Sequence, residues 1–296
     1  MRTLLRYTVN LQFEAEEYWE KIEKMTDNRP IGVFDSGLGG LNGLCALRRF
    51  LPDENIVYFA DSGRLPYGAK TRGQLREMAN QDLSFLSSFG VKAILIACGT
   101  LSSNAGDILA DWPIPTVGVL TSSADWMSRL EGSGPIAVIA TEASIRSGSY
   151  QAAFREACPS REVVAVPCPD FVPLIESGHC MPEDPLVLDA VSRYLQPVRD
   201  AGAEALLLGC THYDIIGEAI ARFLGPEITL VSAAESGAAA LCSRLLKENL
   251  TGGSGETRFF TSGNDREFSE AAALFLGCRA EEISVEAVSP KPIPDL

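Results

Sequence analysis

The sequence predicts an α/β protein built from two similar, doubly wound halves, each around a mostly parallel sheet. Eight short apolar runs have the length of strands, and helical stretches such as 42–51, 72–89, 185–200 and 236–248 separate most of them. The runs are apolar throughout instead of alternating with polar residues, which is typical of parallel strands covered on both faces. They are IGVF (31–34), NIVYFA (55–60), AILIAC (93–98), PTVGV (115–119), PIAVIA (135–140), EVVAVP (162–167), EALLLGC (204–210) and ITLVS (228–232).

Two pairs of these runs recur at a similar interval along the chain. ILIACGT and LLLGCTH place Cys98 and Cys210 112 positions apart (210 − 98). IGVFDSG and IAVIATE begin at Ile31 and Ile136, 105 positions apart (136 − 31). In each pair an apolar strand ends in small polar residues. The pattern therefore predicts two similar halves, each with a first-strand loop and a loop that carries a thiol.

Residues 1–29 form an extension that precedes the repeating pattern. Ala15, Tyr18, Trp19 and Ile22 follow the i, i+3, i+4, i+7 spacing of one helix face within an acidic stretch. We therefore expect an amphipathic helix that packs on the main body. A partner or regulatory contact through the same helix is the alternative interpretation.

Composition and charge exclude several classes of function. The 296 residues are 46% hydrophobic and carry a formal net charge of −14, so an acidic surface would repel phosphate backbones and nucleic-acid binding is not expected. No apolar run approaches the roughly 18 residues of a membrane span, and no signal peptide is recognisable, so we expect no membrane association. The eight cysteines include no C-x-x-C pair and no zinc-like spacing, which predicts unpaired thiols in a reducing cytoplasm and no metal site.

Polar residues follow five of the predicted strands, at the strand ends where parallel sheets bind ligands. The glycine-rich turn DSGLGG after the first strand has the spacing of neither a dinucleotide fingerprint nor a P-loop. Taken alone, either Cys98 or Cys210 is better explained as a small buried core residue. The polar residues and their neighbours are Asp35 and Ser36; Asp61, Ser62, Arg64, Pro66, Tyr67 and Gly68; Cys98, Gly99 and Thr100; Thr141 and Ser144; and Cys210, Thr211 and His212.

The two thiols taken together indicate a different chemistry. Cys98 and Cys210 each fall at the last position of a predicted strand and precede a threonine within two residues. A hydrolase of the Ser/Cys–His–Asp type needs one nucleophile and one base. Two matched thiols instead suit the removal of a proton from one face of a carbon and its return to the other face, which inverts a stereocentre. His212, two residues from Cys210, is placed to lower the pKa of that thiol.

Several longer motifs resemble the aspartate/glutamate racemase superfamily, and most of all its glutamate racemases. The similarity runs in the family's order from about residue 30 to about residue 280. The combination of DSG-x-GG, PYG and GCTHY is highly specific. The matching stretches are IGVFDSGLGGL, FADSGRLPYGAKT, ACGT, IATEASIRSGSY, VPCPDFVPLIESG, LLLGCTHY and RFFTSGNDREFSEAAALFLG.

The resemblance implies an enzyme that interconverts L- and D-glutamate without a cofactor such as pyridoxal phosphate. It implies a cytoplasmic protein that supplies D-glutamate for peptidoglycan, and a homodimer is one assembly that it allows. It also implies two domains that face each other across the active-site cleft. One domain would comprise residues 30–120 with 236–296, and the other residues 121–235.

The resemblance also implies roles for individual residues, carried over by matched position. Cys98 and Cys210 would be the catalytic thiols, each acting on one enantiomer. Asp35 would assist beside Cys98, and Glu176 and His212 would assist beside Cys210. Hydroxyls and backbone amides can hold carboxylates without a large net charge. The implied substrate contacts are Asp35, Ser36, Tyr67, Gly68, Gly99, Thr100, Thr141, Ser144, Thr211 and His212.

The chain departs from the family's pattern at three positions. Gly99 stands where the family has an asparagine that is expected to hydrogen-bond the substrate, and such a bond is worth about 0.5–1.5 kcal/mol. Leu101 is bulkier than the family's small residue, and Asp214 replaces a proline and would add a negative charge near the cleft. These departures keep two alternatives open. One is a racemase for aspartate or another acidic compound, and the other is a catalytically weak binding or inhibitory protein on the same scaffold.

Overall fold

The computed structural model of the protein describes residues 27–289. The helix expected around Tyr18 and Trp19 lies outside those residues. Among the described residues, no helix has the length and apolar character needed to cross a bilayer. The strands, numbered in chain order, are β1 (Ile31–Asp35), β2 (Ile56–Ala60), β3 (Ala93–Ile96), β4 (Thr116–Gly118), β5 (Ile136–Ala140), β6 (Val163–Pro167), β7 (Ala205–Leu208), β8 (Thr229–Ser232), β9 (Thr257–Thr261) and β10 (Val285–Ala287).

The strands form two separate sheets, and the neighbouring strands in both sheets pair in parallel. The first has the order β10-β9-β2-β1-β3-β4 and the second the order β6-β5-β7-β8. In the first sheet Ile31 lies in register with Ile56 and Ala93 on either side. In the second, Ile136 lies in register with Val163 and Ala205. The α/β class and the parallel sheets predicted from the sequence are confirmed.

Both faces of each sheet carry a hydrophobic layer, which explains why the strands are apolar throughout. In β1 the side chain of Val33 packs in one buried cluster and that of Phe34 in the cluster on the opposite face. In β5 the same alternation separates Val138 from Ile139. Every side chain of such a strand is buried, so apolar residues do not alternate with polar ones along it.

Helices cover both sheets and connect the strands. The first strands β1 to β8 correspond to the eight apolar runs, while β9 and β10 were not among the predicted strands. The α-helices are α1 (Leu41–Phe50), α2 (Arg72–Ser87), α3 (Gly99–Asn104), α4 (Gly106–Asp111), α5 (Val119–Ser128), α6 (Glu142–Ser147), α7 (Ser149–Ala157), α8 (Phe171–Glu176), α9 (Pro185–Asp200), α10 (Gly217–Leu224), α11 (Ala233–Glu248) and α12 (Asp265–Leu276), with 3₁₀ turns at Ser62–Arg64, Tyr67–Ala69, Thr211–Ile216 and Ala280–Glu282.

Helices α5 and α11 carry the chain from one sheet to the other. The first sheet draws its strands from 31–118 and 257–287, and the second from 136–232. Helix α11 packs against α1 of the first half and against α5. This helix begins beside the second sheet and ends beside the first, so it does not mark where one half ends. The domain bounds at 120 and 236 therefore stay a prediction.

Each sheet has one place where the order of its strands reverses direction. In the first sheet this switch lies between β1 and β3, and in the second between β5 and β7. Loops that follow two strands at such a switch diverge to opposite faces and leave a crevice at the carboxyl ends of the strands, where ligands bind in open α/β sheets. The residues that follow these four strands are therefore expected to lie at the centre of the site.

Candidate active site

A cleft of about 180 Å³ lies between the two switch points. Its size suits a small molecule rather than a polymer. Ten of the predicted site residues line it, from both halves of the chain. They are Ser36, Tyr67, Gly68, Cys98, Gly99, Thr100, Thr141, Cys210, Thr211 and His212.

Cys98 lies two residues beyond the end of β3 and directly before α3. Its backbone remains extended, with φ −67° and ψ 111°, although pairing with the neighbouring strands has ended at Ile96. The thiol is buried and donates a hydrogen bond of 3.8 Å to the hydroxyl oxygen of Ser36. Burial raises the pKa of Cys98, and the negative charge of Asp35 raises that pKa further.

Cys210 occupies the matching place in the second half, two residues beyond the end of β7. It is buried, and its sulfur lies 3.9 Å from Nδ1 of His212. The other ring nitrogen, Nε2, lies 2.5 Å from Oε1 of Glu176 at the end of α8. The sequence placed both cysteines at the last strand position, which is wrong by two residues: each lies where the backbone is still extended but no longer paired.

His212 is held between a thiol and a carboxylate inside the protein. Burial on its own lowers the pKa of His212, but the hydrogen bonds with Cys210 and Glu176 outweigh it and raise that pKa well above its ordinary value. These hydrogen bonds therefore favour the protonated imidazolium over the neutral ring. This side of the cleft offers a proton donor directly beside the Cys210 sulfur.

Asp35, the last residue of β1, joins the two halves behind the cleft wall. It is completely buried, and its Oδ1 accepts a hydrogen bond of 2.9 Å from the amide of Gly37. Its Oδ2 accepts a hydrogen bond of 3.0 Å from the hydroxyl of Thr211, on the loop that carries the second thiol. Burial raises the pKa of Asp35, and the positive charge of His212 offsets part of that rise.

A short chain of hydroxyls crosses the cleft on the opposite side. Thr100 and Thr141 share a hydrogen bond of 2.9 Å, although they follow strands of different sheets, β3 and β5. Thr141 shares a second bond of 2.9 Å with Ser144, whose amide it also caps at the start of α6. Ser144 thus lies one bond behind the cleft wall, as do Asp35 and Glu176. All three make hydrogen bonds to residues that line the cleft, Thr141, Thr211 and His212.

Tyr67 reaches the cleft wall with its hydroxyl directed into the protein. That hydroxyl donates to Asp61 and, at 3.2 Å, to Asp82, and both carboxylates are completely buried. Arg64 pairs with the same two carboxylates, at 2.6 Å from Asp61 and 2.5 Å from Asp82. These contacts hold the turn Tyr67–Ala69 in place on the side away from the cleft. Tyr67 therefore faces the cleft with its ring and backbone, and its hydroxyl points away.

A third thiol and three neighbouring residues line the cleft without having been predicted to. Cys168 directly follows β6, and the segment after it enters α8. Burial raises the pKa of Cys168. Its position after a parallel strand was the signal that could have identified it. The lining residues of this segment are Cys168, Pro169, Val172 and Pro173, and Leu65, Pro66, Ala69 and Glu142 complete the wall.

Two of the departures noted in the sequence lie away from the cleft. Leu101 is buried in the hydrophobic cluster on one face of the first sheet. Asp214 does not line the cleft, since its Oδ2 accepts a hydrogen bond of 2.8 Å from Ser232 at the start of α11. The expectation that Asp214 places a negative charge at the cleft is therefore wrong. Between residues 27 and 289, no cluster of histidine, cysteine or carboxylate side chains has the arrangement of a metal site.

Proteins of similar sequence match most of the chain. The model of the Asp/Glu/hydantoin racemase family matches residues 47–241. A glutamate racemase of Chlorobaculum tepidum is 36% identical over 267 residues, which cover 88% of this chain and 97% of the relative. A glutamate racemase of Desulforudis audaxviator is 34% identical over 264 residues, 86% of this chain and 96% of the relative.

Solved structures give the same result. The glutamate racemase of Francisella tularensis, crystallised in complex with D-glutamate, superimposes with a TM-score of 0.80 at 36% identity and covers 89% of this chain and 98% of its own. A glutamate racemase isoform of Bacillus anthracis superimposes with a TM-score of 0.83 at 30% identity, with the same coverage of 89% and 98%. The chain therefore belongs to the Asp/Glu/hydantoin racemase family, which confirms the resemblance carried by its motifs and makes the protein an isomerase.

Proposed function

We propose that this protein interconverts L- and D-glutamate by two-base proton transfer between Cys98 and Cys210, without a cofactor. The observation that carries the proposal is the pair of buried thiols, one from each half, that line the same small cleft. Relatives at 34–37% identity over most of the chain are glutamate racemases, which supports glutamate as the substrate.

The chemical step needs only the two thiols and the substrate. The thiolate of one cysteine takes the α-hydrogen as a proton, so a C–H bond breaks, an S–H bond forms and the electron pair stays on the α-carbon. The thiol of the other cysteine then gives its proton to the opposite face, which breaks that S–H bond and forms a new C–H bond. The reverse reaction exchanges the roles of Cys98 and Cys210, so each thiol serves as base for one enantiomer.

The charges around the thiols fit an amino acid as the substrate. Because burial and Asp35 raise the pKa of Cys98, this residue rests as a thiol before substrate binds. The α-ammonium group of an amino acid brings a positive charge into the cleft and favours the thiolate. On the other side, the imidazolium of His212 can supply a proton to Cys210 or stabilise its thiolate.

Hydroxyl groups are the main polar side chains available to hold two carboxylates. Ser36, Thr100, Thr141 and Thr211 line the cleft, and hydroxyls can donate to carboxylate oxygens. None of these groups carries a charge that would compete with the thiols. We propose that these side chains, with backbone amides at the same strand ends, hold glutamate between the two sulfurs.

The same proposal extends to the cellular role. A D-glutamate product would supply peptidoglycan synthesis, and such a supply belongs in the cytoplasm. A homodimer is the assembly we propose, to be checked by the mass of the protein in solution. Neither point affects the chemistry of the cleft.

The proposal is tested by giving the purified protein L-glutamate, D-glutamate and L-aspartate separately and measuring both enantiomers by chiral chromatography. We expect glutamate to racemise from either side and faster than aspartate. Faster turnover of aspartate would overturn the substrate while leaving the two-thiol chemistry in place. No turnover of any of the three would overturn the proposed activity and favour a binding or inhibitory protein.

A further inference from the structure

Gly99 lies where the two thiol-bearing loops touch. It follows Cys98 directly, and across the boundary between the halves it faces Gly209, which directly precedes Cys210. A Cβ atom built on Gly99 would lie 2.0 Å from the carbonyl oxygen of Gly209 and 2.9 Å from the hydroxyl oxygen of Tyr150. Real Cβ atoms do not approach a backbone oxygen so closely, so only glycine fits this backbone position.

The carbonyl that occupies this space is itself held in place. The hydroxyl of Tyr150, whose side chain is completely buried in α7, donates a hydrogen bond of 3.1 Å to it. On the other side, the amide of Gly209 donates a hydrogen bond of 2.8 Å to Ile139 in β5. The Gly209 carbonyl therefore cannot move aside without giving up bonds within the second half.

Hydrogen bonds between the halves flank this contact on both sides. Thr100, next to Gly99, bonds Thr141 at 2.9 Å. Thr211, next to the other thiol, bonds Asp35 at 3.0 Å. The backbones of the two thiol loops are thus drawn together at the point where no side chain separates them.

We propose that Gly99 is a positioning residue that sets the separation of the two thiols. This inference rests on the proposed function and adds that the missing side chain at position 99 is itself required. A two-base transfer needs both sulfurs within reach of one α-carbon, and a displacement of about 1 Å can cost roughly 100-fold in rate. Any side chain at position 99 would push the halves apart at that pair of loops.

The direct test replaces Gly99 with alanine and with asparagine. We expect kcat to fall about 100-fold or more in both directions, with a much smaller change in KM, because the thiols separate while the hydroxyls still hold the substrate. The asparagine variant is the sharper of the two. Because the family has asparagine at this position, Gly99→Asn would be expected to regain a substrate contact and to raise activity. The close approach of the Gly209 carbonyl oxygen predicts the opposite, a lower activity.

A matched control and a smaller substitution distinguish a specific loss of kcat from misfolding. Gly73→Ala, on the exposed first turn of α2 where a Cβ meets nothing within 4 Å, should keep wild-type kinetics. Tyr150→Phe removes only the hydroxyl that holds the Gly209 carbonyl and should lower kcat several-fold with KM unchanged. Wild-type kcat in Gly99→Ala or in Tyr150→Phe would overturn the inference.

A second measurement does not depend on any substrate. Wedging the loops apart should expose Cys98 and Cys210, so both should be alkylated by iodoacetamide faster in Gly99→Ala than in wild type. The exposed Cys278 serves as the internal reference, and mass spectrometry of peptides identifies each site. Unchanged alkylation of Cys98 and Cys210 would overturn the inference, whether or not the wild-type protein turns over glutamate. A wild-type protein that turns over no glutamate would overturn the proposed function separately.

Discussion

At the scale of single residues, the two thiols occupy matching chain positions but have different neighbours. Cys98 has the hydroxyl of Ser36 at 3.8 Å, and Cys210 has the imidazole of His212 at 3.9 Å. Only the second arrangement is extended by a carboxylate, Glu176. The two directions of racemisation should therefore respond unequally to substitutions on the side of Cys210.

The first prediction concerns Glu176. Because its hydrogen bond raises the pKa of His212, Glu176→Gln should lower that pKa, and the imidazolium should be lost at a lower pH. We expect the alkaline limb of the kcat profile to move to lower pH in the variant. Profiles in both directions, compared with Glu183→Gln as an exposed control, measure this shift. An alkaline limb at the same pH as in wild type would rule out His212 as the titrating group.

The second prediction concerns Asp214, whose Oδ1 is buried without a hydrogen-bond partner. Burial raises the pKa of Asp214 from 3.8 to about 7. A pKa raised by folding contributes stability that is complete below the unfolded value and is lost as pH rises through the folded value. Asp214→Asn should therefore gain stability relative to wild type by about 2 kcal/mol between pH 5 and pH 8. Urea unfolding at both pH values measures it, and a pH-independent difference would contradict it.

Local pattern was enough to identify some site residues and not others. Cys98 and Cys210 became candidates because they follow matching apolar strands in the two halves, and His212 because it lies two residues from Cys210. Glu176 lies at the end of a helix, and only the resemblance to a family singled it out. Cys168 directly follows β6 and was missed, because the matching strand of the other half, β2, is followed by Asp61 and not by a thiol.

At the scale of secondary-structure elements, apolar runs located eight strands and overestimated the length of seven of them, including those that end at Cys98 and Cys210. The backbones of Cys98 and Cys210 are still extended, so sequence pattern cannot tell that pairing has ended two residues before. Strand β10 has three residues, all at least partly exposed, and therefore leaves no apolar run to detect. Strand β9 begins with Thr257 and Arg258, which hide its buried end.

The third prediction concerns the turn that carries Tyr67. Arg64 forms ion pairs with two buried carboxyl groups, those of Asp61 and Asp82, and its own side chain is 27% exposed. Arg64→Met should lower the free energy of unfolding by about 2–3 kcal/mol, less than for a fully buried pair. KM should rise as well, because the turn lines the cleft.

The control for this prediction is Arg129→Met, which breaks an exposed ion pair with Asp125 at 2.6 Å. An exposed pair of this kind contributes about 0–1 kcal/mol. Urea unfolding measures the stability of both variants, and substrate titration measures KM. Equal losses of stability in the two variants would show that the buried carboxylates do not depend on Arg64.

At the scale of the whole molecule, two similar halves bring their switch points together. The repeat in the sequence predicted the two halves, because each half carries its own strand and loop pattern. The contacts between them, such as Thr211 with Asp35 and Gly99 with the Gly209 carbonyl, could not be predicted. They depend on the relative placement of two sheets, which no local pattern encodes.

The central claim is that one thiol from each half moves a proton across the α-carbon. It is tested most directly by incubating the protein with L-glutamate in D₂O and measuring the D-glutamate by mass spectrometry and NMR. We predict one solvent deuterium at Cα of the D-glutamate formed, and a loss of about 100-fold or more in either Cys98→Ser or Cys210→Ser. D-glutamate that retains its original α-hydrogen, or turnover that survives the loss of either thiol, would contradict the claim.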